Sequence, residues 1–130
     1  MAYDIDATRI AYVGVSFGGS SALPIMAMEP RVRTALLLSG GLPTQQQAPS
    51  PFVDPLNYAP RIVIPTLMIN GRFDYIFPLE AQQMLFDALG TPAADKRYAL
   101  FDYGHGSPPR AELLRETLGW LDSYLGRPVP

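Results

Sequence analysis

Residues 12–20 read YVGVSFGGS, and the meaning of the serine between two glycines decides the fold. Residues 9–15 (RIAYVGV) are β-rich and, past Arg9, uncharged, as a strand buried on both faces would be. Gly14-Val15-Ser16-Phe17-Gly18 then spells G-x-S-x-G, and the small, apolar run from Gly18 to Met28 follows at once. A strand that turns sharply into a helix strains such a serine and lifts its hydroxyl above the sheet. The flanking glycines are expected where side chains would collide with neighbouring backbone. The helix that follows would aim its N-terminus at a developing oxyanion. The pentapeptide alone matches by chance in roughly 4 % of chains of this length, given ordinary Gly and Ser usage. The rest of the chain has to decide.

Working outward, strand-like and helix-like segments alternate. Residues 18–28 suit a buried helix, kinked where Pro24 removes a hydrogen bond. Thr34 to Ser39 (TALLLS) and Thr66 to Asn70 (TLMIN) read as buried strands, with a long irregular stretch, Gly40 to Pro60, between them. Leu79 to Leu89 has helical spacing, with Leu79, Met84, Leu85 and Leu89 available for an apolar face. Pro78 stands near its first turn and Gly90 just past its end. Arg97 to Phe101 (RYALF) is a fourth strand. Pro109 to Leu125 predicts an amphipathic helix with a stripe of Leu113, Leu114, Thr117, Leu118, Leu121 and Leu125, closed by Gly126. This alternation implies an α/β fold with about four parallel strands, three helices and three layers, the strands lying side by side in chain order. Chemistry in such sheets gathers at the carboxyl ends of the strands. There stand Ser16, then Ser39-Gly40-Gly41, then Asn70 to Asp74, then Tyr103-Gly104-His105-Gly106.

The bulk numbers exclude other classes. At 130 residues the chain is one domain, 1–130, and can bury a core. A formal net charge of −2 offers no basic surplus for nucleic acid or an anionic membrane. With no cysteine there is no disulfide or thiolate chemistry. No run approaches the roughly 18 apolar residues of a membrane span, and Met1 to Asp6 carries two acids with no apolar core, so it is not a secretory signal. The chain reads as soluble and cytoplasmic. The 14 prolines punctuate loops without forming a tract, and Gln45 to Gln47 reads as solvated loop.

Ser16, Asp74 and His105 occur in the order Ser…Asp…His, each just beyond an expected strand, and His105 is the only histidine. These residues resemble the α/β-hydrolase superfamily, in particular its dienelactone-hydrolase-like and prolyl-oligopeptidase-like esterases. YVGVSFGGS is similar to the nucleophile elbow, PTLMINGRFDYIFP (residues 65–78) to the acid-bearing strand and loop, and DYGHGSP (residues 102–108) to the histidine loop. The resemblance implies that Ser16 is the nucleophile, His105 the general base and Asp74 the acid that orients the imidazole. It implies Phe17 N–H as one oxyanion donor, carboxylic-ester hydrolysis through an acyl-enzyme, and no metal or organic cofactor. It covers residues 9–126 but only the C-terminal half of the family's domain. In the family the elbow follows a fifth strand, and a loop after the third supplies the second oxyanion donor.

Plainer readings stand beside these. Ser16 could be a turn serine, His105 a surface-loop histidine, and Asp74 a turn cap or a partner of Arg72. Asp102 is a rival acid, though close in sequence to the ring it would have to reach. Tyr75, Phe77 and Tyr103 could line an acyl pocket or close the core. Trp120 and Tyr124 read as core or rim. The chain could instead be a non-catalytic half-domain acting as an interaction module, or one piece of a longer hydrolase. Without the preceding strands, Ile10 to Val15 would lie at a sheet edge, apolar on both faces and with no charge or proline to protect it. A homodimer formed through that strand, or through the uncovered sheet face, is expected.

Overall fold

The first strand, β1, runs Ile10–Val15 and pairs in parallel with β2, Val32–Leu38. Parallel pairing continues to β3, Thr66–Gly71, and β4, Lys96–Phe101, so the sheet order is β1-β2-β3-β4. These features belong to a computed structural model that describes residues 5–42 and 50–127. Gln45 to Gln47 and the first four residues lie outside the described residues. Adjacent strands follow one another in the chain, as right-handed crossovers dictate. All four loops that leave the strands' carboxyl ends therefore meet on one rim.

The run after the elbow forms two helices: α1, Phe17–Ser21, and α2, Leu23–Met28. A single kinked helix was expected; Pro24 falls in the first turn of α2, where its missing N–H costs nothing, and the break is at Ala22. The third helix, α3, is Leu79–Ala88, and the fourth, α4, is Arg110–Leu125. Four helices thus replace the three expected. Short 3-10 turns at Pro55–Asn57 and Ala59–Arg61 order part of the long connection. Among the described residues no helix is long and apolar enough to cross a membrane.

Alternation along each strand sends side chains to two faces. On one face Ala35, Leu37 and Met68 meet Leu23, Met26, Leu85 and Leu89 from α1, α2, α3 and their flanks. On the other, Leu36, Leu38, Leu67, Ile69 and Ala99 meet Leu113, Trp120 and Leu121 of α4. The apolar face of α3 differs from the expected one. Leu85 and Leu89 are buried as expected, but Leu79 and Met84 are exposed, and Ala81 and Gln82 are buried in their place. The stripe on α4 is wider than the sheet can cover: Leu113 and Trp120 pack inward while Leu114 and Leu118 remain exposed. Trp120 also donates from Nε1 to Thr34 Oγ1 at 2.8 Å, which pins α4 to β2.

Candidate active site

Ser16 is the first residue beyond β1. Its backbone sits at φ 53° and ψ −113°, a region that residues with a Cβ disfavour. Neighbouring hydrogen bonds hold it there. Ser16 N–H donates to Leu38 O at 2.8 Å, and the N–H groups of Gly19 and Ser20 donate to Ser16 O at 2.9 and 3.2 Å. The tight return needs Gly14, since a Cβ there would stand 2.3 Å from Gly18 O. Gly18 departs from expectation: a Cβ on it would meet only the Tyr12 hydroxyl, at 3.7 Å, an ordinary contact. The other close approach belongs to Gly19, whose Cβ would lie 3.3 Å from Gly40 Cα. The Tyr12 hydroxyl donates to Gly18 O at 2.8 Å, and burial pushes its pKa up. Because α1 has only five residues, the donor offered here is a local amide and not a long helix dipole. Phe17 N–H, at the first helical position, precedes the helix's own hydrogen bonds and remains free to donate.

Asp74 lies in the loop after β3, with its carboxylate fully enclosed. Its Oδ1 accepts from Ile76 N–H at 2.8 Å and Phe77 N–H at 3.0 Å, and its Oδ2 lies 2.9 Å from His105 Nδ1. Gln82 of α3 braces this loop from within. It is wholly buried, donates to Gly71 O at 3.0 Å and Phe77 O at 2.6 Å, and accepts from the Tyr98 hydroxyl. Asp102 turns outward and pairs with Arg72 Nε at 2.8 Å. The arginine thus goes to the rival acid, and Asp74 faces the ring.

His105 completes the line, with Nε2 2.8 Å from Ser16 Oγ. When Nδ1 carries the proton shared with Asp74, the lone pair of Nε2 faces the serine hydroxyl. The loop is held by Ser39, whose hydroxyl donates to Gly106 O and whose own φ is 48°. Ser16, Asp74 and His105, from three loops of the rim, are thus brought into one hydrogen-bonded chain. Tyr75 and Phe77 have ring centres 6.3 and 6.0 Å from the imidazole. Tyr75 is largely exposed. Tyr103 buries its hydroxyl, and burial pushes the phenol up; Asn70 Oδ1 is buried without a partner among the described residues. Among the described residues no cluster of three or more His, Asp or Glu could hold a metal ion. The sequence reading missed Gln82 and Ser39. Gln82 lies outside the apolar positions that the helical spacing picks out. Ser39 offered one signal, its place at the end of a buried strand beside two glycines.

No family model matches the chain. Solved structures do. It is similar to a cold-adapted esterase from an Arctic intertidal metagenomic library, with 26 % identity, 90 % of this chain and 50 % of that one covered, and a TM-score of 0.76. It is similar to an acetyl xylan esterase from Paenibacillus sp. R4, with 25 % identity, coverage of 93 % and 47 %, and a TM-score of 0.74. The fold is shared with a candidate dienelactone hydrolase of Klebsiella pneumoniae subsp. pneumoniae, at 22 % identity, coverage of 92 % and 54 %, and a TM-score of 0.68. The chain spans about half the length of these structures. It has a partial α/β-hydrolase fold.

Proposed function

We propose that the chain is the serine-bearing half of an α/β-hydrolase that cleaves carboxylic esters. The observation that carries this is the continuous relay from Ser16 Oγ to His105 Nε2 and from His105 Nδ1 to Asp74 Oδ2, at 2.8 and 2.9 Å. In the proposed reaction Ser16 Oγ attacks the ester carbonyl while His105 Nε2 takes the hydroxyl proton. Asp74, enclosed and held by two backbone amides, fixes the imidazole tautomer and stabilises the imidazolium. Phe17 N–H donates to the oxyanion. Collapse of the tetrahedral intermediate breaks the bond to the alcohol, which leaves with the proton from His105. Water, deprotonated by His105, then attacks the acyl-enzyme, and the carboxylic acid departs as Ser16 recovers its proton. The esterases among the similar structures support the ester class, and the acetyl xylan esterase favours short acyl groups as first substrates to try.

Acetyl nitrophenyl ester and a fluorophosphonate probe test the reading together. Wild type is expected to be labelled at Ser16. Ser16→Ala and His105→Ala are each expected to abolish turnover, and the double variant to lose no more than either. Asp74→Asn is expected to keep binding but lose about 10⁴ in turnover. A missing second oxyanion donor typically costs 10²–10³ in rate, so turnover by the chain alone is expected to be low by that factor while labelling persists. Absence of labelling would instead favour a non-catalytic interaction module.

A further inference from the structure

The end of β2 touches every part of the fold that carries the relay. Leu38 O accepts from Ser16 N–H at 2.8 Å, on the elbow. Ser39 N–H donates to Ile69 O at 2.8 Å, and Asn70 Nδ2 donates to Gly40 O at 2.7 Å, both on β3, the strand that leads to Asp74. Gly40 lies against Gly19 of α1, and the Ser39 hydroxyl donates to Gly106 O, one residue past His105. Residues 38–40 thus fix where the elbow, the acid-bearing strand and the histidine loop stand relative to one another.

The histidine loop depends on this contact more than the other two do. Its upstream side is fastened where Phe73 N–H donates to Tyr103 O at 3.0 Å. Beyond that point, among the described residues, the hydrogen bond from Ser39 is the only one to the backbone of residues 104–108. Gly106 itself has φ 152°, a conformation that a side chain would strain. A stretch with no ladder bonds does not set the position of an imidazole by itself.

The backbone of Ser39 points the same way. At φ 48° it lies in the left-handed region, where glycine is at ease and serine is not. Yet a serine stands there, wholly buried. What it has and glycine lacks is the hydroxyl.

We propose that Ser39 is a positioning residue, whose hydroxyl, through Gly106 O, holds the His105 ring in register between Ser16 Oγ and Asp74 Oδ2. It touches none of the reacting atoms. The inference rests on the relay proposed above and makes it depend on a group outside the three. Without the hydroxyl, residues 104–108 are tethered by the His105 side chain alone. A drift of about 1 Å in such a ring can cost about 10² in rate.

His105 is the only histidine, so one set of ring signals reports on it. Nitrogen-15 NMR of the neutral imidazole reads which nitrogen holds the proton, and the hydrogen bond to Asp74 places it on Nδ1. Wild type is expected as that tautomer. Ser39→Ala conserves the packing, Ser39→Gly suits the backbone, and both lack the hydroxyl. Both variants are expected to keep the native circular dichroism and to show a mixture of tautomers. Fluorophosphonate labelling of Ser16 should slow by about ten- to a hundred-fold in each. The urea midpoint of Ser39→Gly should be no lower than that of Ser39→Ala, so slow labelling would not follow stability. Wild-type ring signals in both variants overturn the proposal, as does labelling at the wild-type rate. Loss of native circular dichroism in both also overturns it, since the hydroxyl would then serve the fold at large. A wild type that shows mixed tautomers overturns it too. A wild type that is never labelled would overturn the ester-hydrolase reading instead, and the ring signals would still decide the role of Ser39.

Discussion

The two faces of the sheet are finished to different degrees. Against α1, α2 and α3, the side chains of Leu23, Leu37, Met68 and Leu85 are sealed from solvent. The same layer supplies Gln82, which ties the Asp74 loop, and Ser20, whose hydroxyl accepts from Gly41 N–H at 3.3 Å. On the opposite face α4 contributes no fully buried residue, and its leucine stripe runs past the sheet that could cover it. The difference separates two demands. Rigidity under the candidate site comes from the closed face, and exposed apolar side chains such as Leu114 and Leu118 collect on the open one.

The largest effect is expected from opening the closed face. Leu37→Ala or Leu85→Ala should cost about 2–5 kcal/mol in urea unfolding. Leu113→Ala, half-buried on the sheet-facing side of α4, should cost less than half as much at the same protein concentration. Equal losses would erase the contrast. Next comes Gln82→Leu, which strips Gly71 O and Phe77 O of a donor and the Tyr98 hydroxyl of its acceptor. It should cost about 1–3 kcal/mol and slow fluorophosphonate labelling of Ser16, because the Asp74 loop loses its brace. Trp120→Phe, on the open face, removes one hydrogen bond and should cost about 1 kcal/mol with labelling unchanged. A change in labelling there would show that the open face also supports the site.

The smallest effect concerns alkaline pH. Burial pushes the Tyr98 phenol from its ordinary value of 10 up to about 12. The fold therefore favours the neutral phenol. The stabilisation this gives is whole below pH 10, where both folded and unfolded chains hold the proton, and is lost as pH rises toward 12. In Tyr98→Phe the decline in urea midpoint across that window should flatten. An unchanged decline would assign it to other groups.

Much of this architecture was legible in the sequence, for physical reasons. Buried parallel strands read as uncharged runs, and RIAYVGV, TALLLS and TLMIN are such runs. Ser16, Asp74 and His105 were legible because a parallel sheet in chain order puts every strand-terminal loop on one rim. What escaped was set by neighbours far away in sequence. The inner face of α3 follows the closed layer, so Ala81 and Gln82 replaced Leu79 and Met84 there. Gly18 was read as a steric necessity, but the close approaches belong to Gly14 and to Gly19 against Gly40. The helix after the elbow divides because Pro24 starts a new helix more readily than it kinks an old one.

The order of the strands also bears on how the chain acquires its structure. Each strand pairs with the next one along the chain, so the sheet can grow by closing one connection at a time, and because closure entropy rises only slowly with length even the long β2–β3 connection adds a modest cost. The contact between Ser16 and His105 spans 89 residues and requires the last strand and its loop to be in place. During refolding, backbone order should therefore precede reactivity at Ser16. The serine then acts as a clock for the final step of assembly, silent until the far end of the chain has arrived.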